Sequence, residues 1–249
     1  MTMKGKVAVV TGGSRGIGAA IARRLAAGGA AVAVNFARNR DAAETVVREI
    51  ASAGGKAIAV QADVRDPEQV GAMAKVVAAS LGPVDALVIN ASIDFPIVPF
   101  LSFRWEDFEK KLTGELKAAF VCCKAFVPGM VERKSGNVVA ISSQLSRHPG
   151  EGFCAHSTAK SGLDAFMKSL ALELGPSGVR VNVVAPGLTE TDATAFMKAE
   201  AKAGAAMGTP LRRIGNPDDV AGAVLFMASD EARFVTGSYL PVSGGAQML

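Results

Sequence analysis

In the stretch CAHSTAK, residues 154 to 160, His156 stands four residues before Lys160. On a helix that separation is one turn, so the imidazole and the ammonium share a face. The two are either a catalytic couple or neighbours on a helix face, and His156 is one of only two histidines in the chain. As a couple, each acts on the other's charge. Two unit charges about 6 Å apart in an effective dielectric of about 20 repel by roughly 3 kcal/mol. That is about two pKa units, which takes an ordinary histidine from ~6.5 to well below neutral. Beside Lys160, His156 is expected to be an uncharged imidazole that donates a hydrogen bond to an oxygen but is a weak acid. His148, ahead of Pro149 and Gly150, reads as a loop residue.

A second chemical signal lies in VAVVTGGSRGIGAAIARRLAAGGA, where a strand ends at Val10 and glycines follow at 12, 13, 16 and 18. Gly12 permits a tight turn, while Gly16 and Gly18 let backbone approach a phosphate and the next helix pack on the sheet. The helix N-terminus then offers free N–H groups to a pyrophosphate. With strand before and helix after, Gly12, Ser14, Arg15, Gly16, Ile17 and Gly18 form a candidate dinucleotide-binding turn. An NAD site usually ends its second strand in Asp or Glu, to hold the ribose 2′-hydroxyl. Here VAVNFARNR puts Asn35 in that place and Arg38 just beyond. Arg15 and Arg38 would fork a 2′-phosphate, which favours NADP(H). The competing reading leaves both as solvated surface arginines. Asp63 and Val64, in QADVRD, fall where a third strand would border an adenine.

The elements that must carry these groups show as short β-branched runs alternating with alanine-rich stretches of helical period. Strands are expected at about 6–10, 31–35, 56–60, 84–89, 137–141, 179–184 and 238–241, and helices at about 16–28, 41–53, 67–81, 102–130, 153–175 and 217–228. Strands such as VAVV and ALVI are apolar on both faces, the mark of a parallel sheet covered on each side. The expected fold class is α/β, a doubly wound, seven-stranded Rossmann-type sheet in one domain over 1–249. The stretch 186–216, rich in small residues, reads as a flap at about 187–215.

Composition narrows the function classes. Of 249 residues, 49% are apolar and 20% charged, which is globular usage. No apolar run approaches the ~20 residues of a membrane span. The N-terminus reads directly into a strand, which predicts no signal peptide. Cys122, Cys123 and Cys154 lack metal-ligand spacing, so a reduced cytoplasmic protein without a metal is expected. The net charge of +4 is dispersed, against nucleic acid as a partner.

T-G-x-x-x-G-x-G at Thr11–Gly18, INAS after the fourth strand, ISSQ after the fifth, Lys160, VNVVAPGLTETD and VSGGA resemble the short-chain dehydrogenase/reductase family over the whole chain. The 3-oxoacyl-carrier-protein reductase branch is the nearest in pattern. The resemblance implies that Ser143 hydrogen-bonds the substrate oxygen, with Ser142 a lesser candidate. It also implies that Lys160 and Asn90 hold the cofactor ribose. Pro186, Gly187, Leu188, Thr189 and Thr191 would then lie over the nicotinamide and phosphates. The family's proton-donating tyrosine stands four residues before the lysine and thirteen after the serine, and both counts land on His156. Tyr239, the only tyrosine, lies at the C-terminal strand. The family's helix-four asparagine aligns with Glu115, INAS replaces N-N-A-G, and Ser243 stands in VSGG. If Glu115 faces the His–Lys pair, its carboxylate offsets Lys160 and restores an imidazolium; otherwise Glu115 is a solvated helix residue.

The catalytic set is therefore read as Ser143, His156, Lys160 and Glu115. Three functions compete: carbonyl reduction by NADP(H), conjugate reduction of an enone or enoyl thioester, and a dinucleotide-binding sensor or scaffold without turnover. Phe95, Pro96, Phe100, Trp105 and Phe153 point to an apolar pocket for an acyl thioester or aromatic ketone. The resemblance further implies a homotetramer or dimer built on the long fourth and fifth helices.

Overall fold

In the computed structural model, which describes residues 2–248, seven parallel strands form one sheet. They are β1 (Val7–Val10), β2 (Ala31–Phe36), β3 (Lys56–Gln61), β4 (Ala86–Ile89), β5 (Gly136–Ile141), β6 (Val179–Pro186) and β7 (Tyr239–Val242), in the order β3-β2-β1-β4-β5-β6-β7. The helices are α1 (Gly16–Ala27), α2 (Arg40–Ser52), α3 (Pro67–Ser80), α4 (Trp105–Glu132), α5 (Cys154–Leu174), α6 (Ala199–Met207) and α7 (Pro217–Ala228).

Strand pleating divides the core in two. Ala8 and Val10 of β1 join one apolar cluster with α1, α2 and α7, whereas Val7 and Val9 join another with α3, α4 and α5. Apolar residues on both strand faces thus find helices on both sides. The doubly wound expectation holds. Strand order reverses between β1 and β4, which opens a crevice beyond their C-terminal ends. The glycine turn leaves β1 there, and Asn90 follows β4.

Two departures from the expected elements have local causes. The start expected near 102 is a short 3-10 turn at Phe100–Ser102, and α4 begins only at Trp105. Within the flap, AEAKAGAAM folds as α6, as its alanine content favours.

Two glycines fix the turn. Gly12 adopts φ +60°, which strains any other residue. A Cβ on Gly18 would lie 2.3 Å from the Gly12 carbonyl oxygen and 2.5 Å from Asn90 Nδ2. Gly18→Ala should therefore lower unfolding free energy by about 2–4 kcal/mol, measurable by denaturant titration.

Candidate active site

The site begins where the turn is braced. Thr11 Oγ1 accepts from the Asn90 and Ala91 amides at 2.8 and 3.0 Å and donates to the Val88 carbonyl at 3.2 Å. Asn90 Nδ2 donates to the Thr11 and Gly12 carbonyls at 2.9 and 3.1 Å. The carbonyls facing the crevice are thus tied across β1 and β4, and the start of α1 lacks any side-chain cap. Its first N–H groups remain available to an anionic ligand. Thr191 lies over the turn, its side chain 3.6 Å from the place of a Cβ on Gly16. Gly187 donates its amide to the Val242 carbonyl at 2.9 Å, and Thr189 Oγ1 donates to the Gly187 carbonyl at 3.0 Å, so Pro186–Thr191 leaves the sheet as an ordered arm.

Asn35 corrects an expectation. It is 2% exposed; its Oδ1 accepts from the Gly12 amide at 3.1 Å, and its Nδ2 donates to the Val60 and Ala62 carbonyls at 3.3 and 3.0 Å. The amide points into the sheet and supports the turn from below, so it is not placed to hold a ribose. Arg15 and Arg38 are both exposed, and among the described residues neither enters a salt bridge. Asp63 is clamped by Arg65 through two side-chain bonds of 2.9 and 2.6 Å. Those bonds, with Arg38 nearby, hold its carboxyl down at about 2 against a smaller effect of burial. Val64 is buried beside it.

Across the crevice, β5 delivers Ser143 and α5 delivers His156 and Lys160. Ser143 Oγ accepts from the Leu145 amide at 3.1 Å, which leaves its proton free to donate. Tyr239 donates to the Ser143 carbonyl at 3.1 Å, so the sole tyrosine steadies the serine's backbone. Ser142 is buried, and its hydroxyl has no partner among the described residues. His148 is exposed.

Lys160 is 4% exposed and donates to the Ile141 carbonyl at 2.7 Å and to Glu115 Oε1 at 2.6 Å. Glu115 Oε2 accepts from Lys111 at 2.7 Å. Glu115 is therefore buried between two ammonium groups, not solvated. Burial pushes its carboxyl up, but Lys160 and Lys111 outweigh that and bring it to about 2. The Lys111–Glu115 spacing, one helical turn, was open to view in KLTGE. That spacing alone does not single out Lys111, because a lysine four residues from a glutamate is usually on a solvated face.

Lys111 also overturns the expected restoration of an imidazolium. One carboxylate against two ammonium groups leaves the cluster net positive. Burial, then Lys160, then Lys111 push His156 down to about 3, with Glu115 opposing weakly. His156 stacks on Phe95 at 5.0 Å with a 17° interplanar angle and meets the edge of Phe153 at 6.4 Å. Its Nδ1 is buried without a partner among the described residues. The arrangement presents an uncharged imidazole in an aromatic slot beside a lysine.

These values set the pH dependence of stability. His156 folds with its pKa below the unfolded 6.5, so its contribution is full above 6.5 and is lost as pH falls toward about 3. Glu115, below its unfolded 4.5, contributes fully above 4.5 and loses that contribution as pH falls toward about 2. Stability should thus decline from about pH 6.5 downward, and His156→Phe should flatten the upper part of that decline in urea titrations.

Known proteins carry the same plan. A family described as enoyl-(acyl carrier protein) reductase matches residues 12–247. An uncharacterized oxidoreductase of Methylorubrum extorquens is 41% identical over 98% of this chain and 99% of its own length. A 3-oxoacyl-[acyl-carrier-protein] reductase of Synechocystis is 40% identical over 98% and 97% of the two chains. A crystal structure of a dehydrogenase/reductase from Sinorhizobium meliloti superposes with a TM-score of 0.91 at 36% identity, covering 99% of this chain and 97% of that one. No helix among the described residues is long and apolar enough to cross a membrane. By whole-chain match and by sheet order, the chain belongs to the short-chain dehydrogenase/reductase family and is an oxidoreductase.

Proposed function

We propose that the chain is an NADP(H)-dependent oxidoreductase that delivers hydride to a carbonyl compound, with a 3-oxoacyl thioester or an aromatic ketone as the substrate class. The observation that carries this reading is the buried Lys160, fixed between Ile141 and Glu115 one helical turn after His156. An ammonium has three donors, and two are spent on the protein. The third is left for a ribose hydroxyl. Asn90, whose amide N–H groups brace the turn, keeps Oδ1 as an acceptor on the same side.

The turn fits a dinucleotide on its own geometry: Gly12 and Gly16 at positive φ, an uncapped helix start, and Thr191 above. Gly12, Ser14, Arg15, Gly16, Ile17 and Gly18 would hold the pyrophosphate, while Asp63 and Val64 would border the adenine and Pro186–Thr191 the nicotinamide. Bound there, the cofactor supplies the hydride. Arg15 and Arg38, exposed and free of salt bridges among the described residues, are the groups that would take a 2′-phosphate. Arg38→Ala should weaken NADPH binding about tenfold and leave NADH binding nearly unchanged, as read by fluorescence titration.

His156 is read as standing where the family has its tyrosine. An uncharged imidazole polarises an oxygen by hydrogen bonding, and Ser143 supplies a second donor. His156→Phe should lower kcat/KM by about a hundredfold or more. Retention of activity in that variant would remove the histidine from catalysis.

A second reading is favoured by one observation. A neutral imidazole with a pKa near 3 is a poor proton donor to an alkoxide but a sufficient hydrogen-bond donor to an enolate. Conjugate reduction of an enone or enoyl thioester asks only for the latter. NADPH offered with matched ketones and enones separates the two: ketone turnover supports the first reading, and enone-only turnover replaces it with the second.

Assembly as a homotetramer, or a dimer, would cover the exposed Phe120 on α4 and Leu172 on α5.

A further inference from the structure

Lys111 has no assigned part in the proposed reaction, yet it is fully buried and its three donors are all spent. They go to Glu115 Oε2 at 2.7 Å, Ser92 Oγ at 2.9 Å and the Ile93 carbonyl at 2.8 Å. The last two belong to the loop between β4 and α4. The same ammonium lies 5.0 Å from the centroid of the Phe95 ring, and Phe95 is the ring on which His156 stacks. Glu115, held on one oxygen by Lys111, holds Lys160 with the other. One ammonium thus reaches the cofactor-facing lysine through a carboxylate and the imidazole through an aromatic ring.

We infer that Lys111 is the positioning residue of this site: through Glu115 it sets Lys160, and through Ser92, Ile93 and Phe95 it sets the ring against which His156 is held. The inference rests on reading Lys160 and His156 as the reacting groups.

The chemistry explains why a lysine does this. A hydrophobic residue at 111 would pack as well, but it would leave the Ile93 carbonyl and Glu115 Oε2 short of a donor. The charged and titratable groups around Lys111 are Glu115 on its own helix, Lys160 and His156 on α5, and Asp94 on the loop. Burial lowers the Lys111 ammonium to about 8, opposed by Glu115, so it stays cationic at neutral pH. As a cation it also keeps His156 uncharged, adding to the effect of Lys160.

Two readouts that need no turnover test this in the full chain, across wild type, Lys111→Met, Glu115→Gln and the double variant. One is NADPH affinity by fluorescence. The other is the His156 ring titration by NMR, where His148 is the only other histidine and His148→Gln assigns the signals. Glu115→Gln strands two buried ammonium groups, and NADPH affinity should fall about tenfold or more. Because Lys111 acts on Lys160 through Glu115, Lys111→Met alone should also weaken NADPH binding by about threefold or more, and the double variant should lose less than about threefold beyond Glu115→Gln. Lys111→Met alone should raise the His156 midpoint by about one unit or more. NADPH affinity unchanged in Lys111→Met, losses that simply add in the double variant, or a His156 midpoint unmoved by Lys111→Met overturn the inference. Should Lys111→Met fail to fold, Lys111→Gln, which removes the charge but keeps a donor for the Ile93 carbonyl, decides it by the same two readouts. Should wild type bind no NADPH, the proposed function fails, and the His156 titration alone then decides the role of Lys111.

Discussion

The site is organised by a buried carboxylate that answers two ammonium groups. Lys111, Glu115 and Lys160 are each at most 5% exposed in their side chains, and both Glu115 contacts are 2.7 Å or shorter. Such a cluster is not a device for stability. Replacing a buried ion group with apolar residues is often neutral or stabilising by about 1–4 kcal/mol, whereas removing one partner costs about 3–5 kcal/mol. Its consequence is positional. Every member is fixed by more than one short contact, and α4, α5, the end of β5 and the loop after β4 are tied at a single point. The glycine turn on the other side of the crevice is braced in a similar way by Thr11 and Asn90, without charge.

The sign of that cluster governs the chemistry open to its neighbour. Two cations and one anion leave a net positive charge beside His156, on top of desolvation, and the imidazole is held neutral. In the proposed reading this limits His156 to donating a hydrogen bond. The same field favours negative charge developing on a substrate oxygen, because an ammonium that depresses an imidazolium also stabilises an oxyanion. What the imidazole loses as an acid, the surroundings return as electrostatic stabilisation of an anionic state. An enolate benefits from that field without needing the proton at once; an alkoxide does not.

Much of the fold was legible in the sequence because its signals are local. VAVV, ALVI and NVVAI announce strands buried on both faces, and the alternation with helical segments fixes a parallel sheet. The glycine turn was legible for the same reason: strand, turn and helix are contiguous. Alpha-helix α6 was not, since nothing in AEAKAGAAM distinguishes a short surface helix from a small-residue loop. Asn35 was misplaced because a strand end looks alike from sequence whether a side chain points along the crevice or into the sheet, a choice set by a one-residue phase. The bond from Tyr239 to the Ser143 carbonyl joins residues 96 apart and has no local signature.

Lys111 shows most clearly where sequence reasoning stops. The pattern Lys-x-x-x-Glu is visible, and its usual meaning is a solvated pair worth little. What reverses that meaning is α5, which brings Lys160 onto the other carboxylate oxygen and closes water out. Burial turns an ordinary surface pair into a strong constraint, and burial is a property of the packed helices, not of either segment. Around that pair, Ser92 lies within reach of both Lys111 and Glu115, and Phe95 links Lys111 to His156. A site decaying without constraint would be expected to leave buried charges unpaired, at a cost the fold could not easily carry. Here Lys111, Glu115 and Lys160 are each paired, and the buried polar atoms without a partner among the described residues, His156 Nδ1, Ser142 Oγ and Asp164 Oδ1 among them, lie outside that cluster. In the proposed reading, that pairing fits a site organised around its own electrostatic balance better than one that has lost its chemistry.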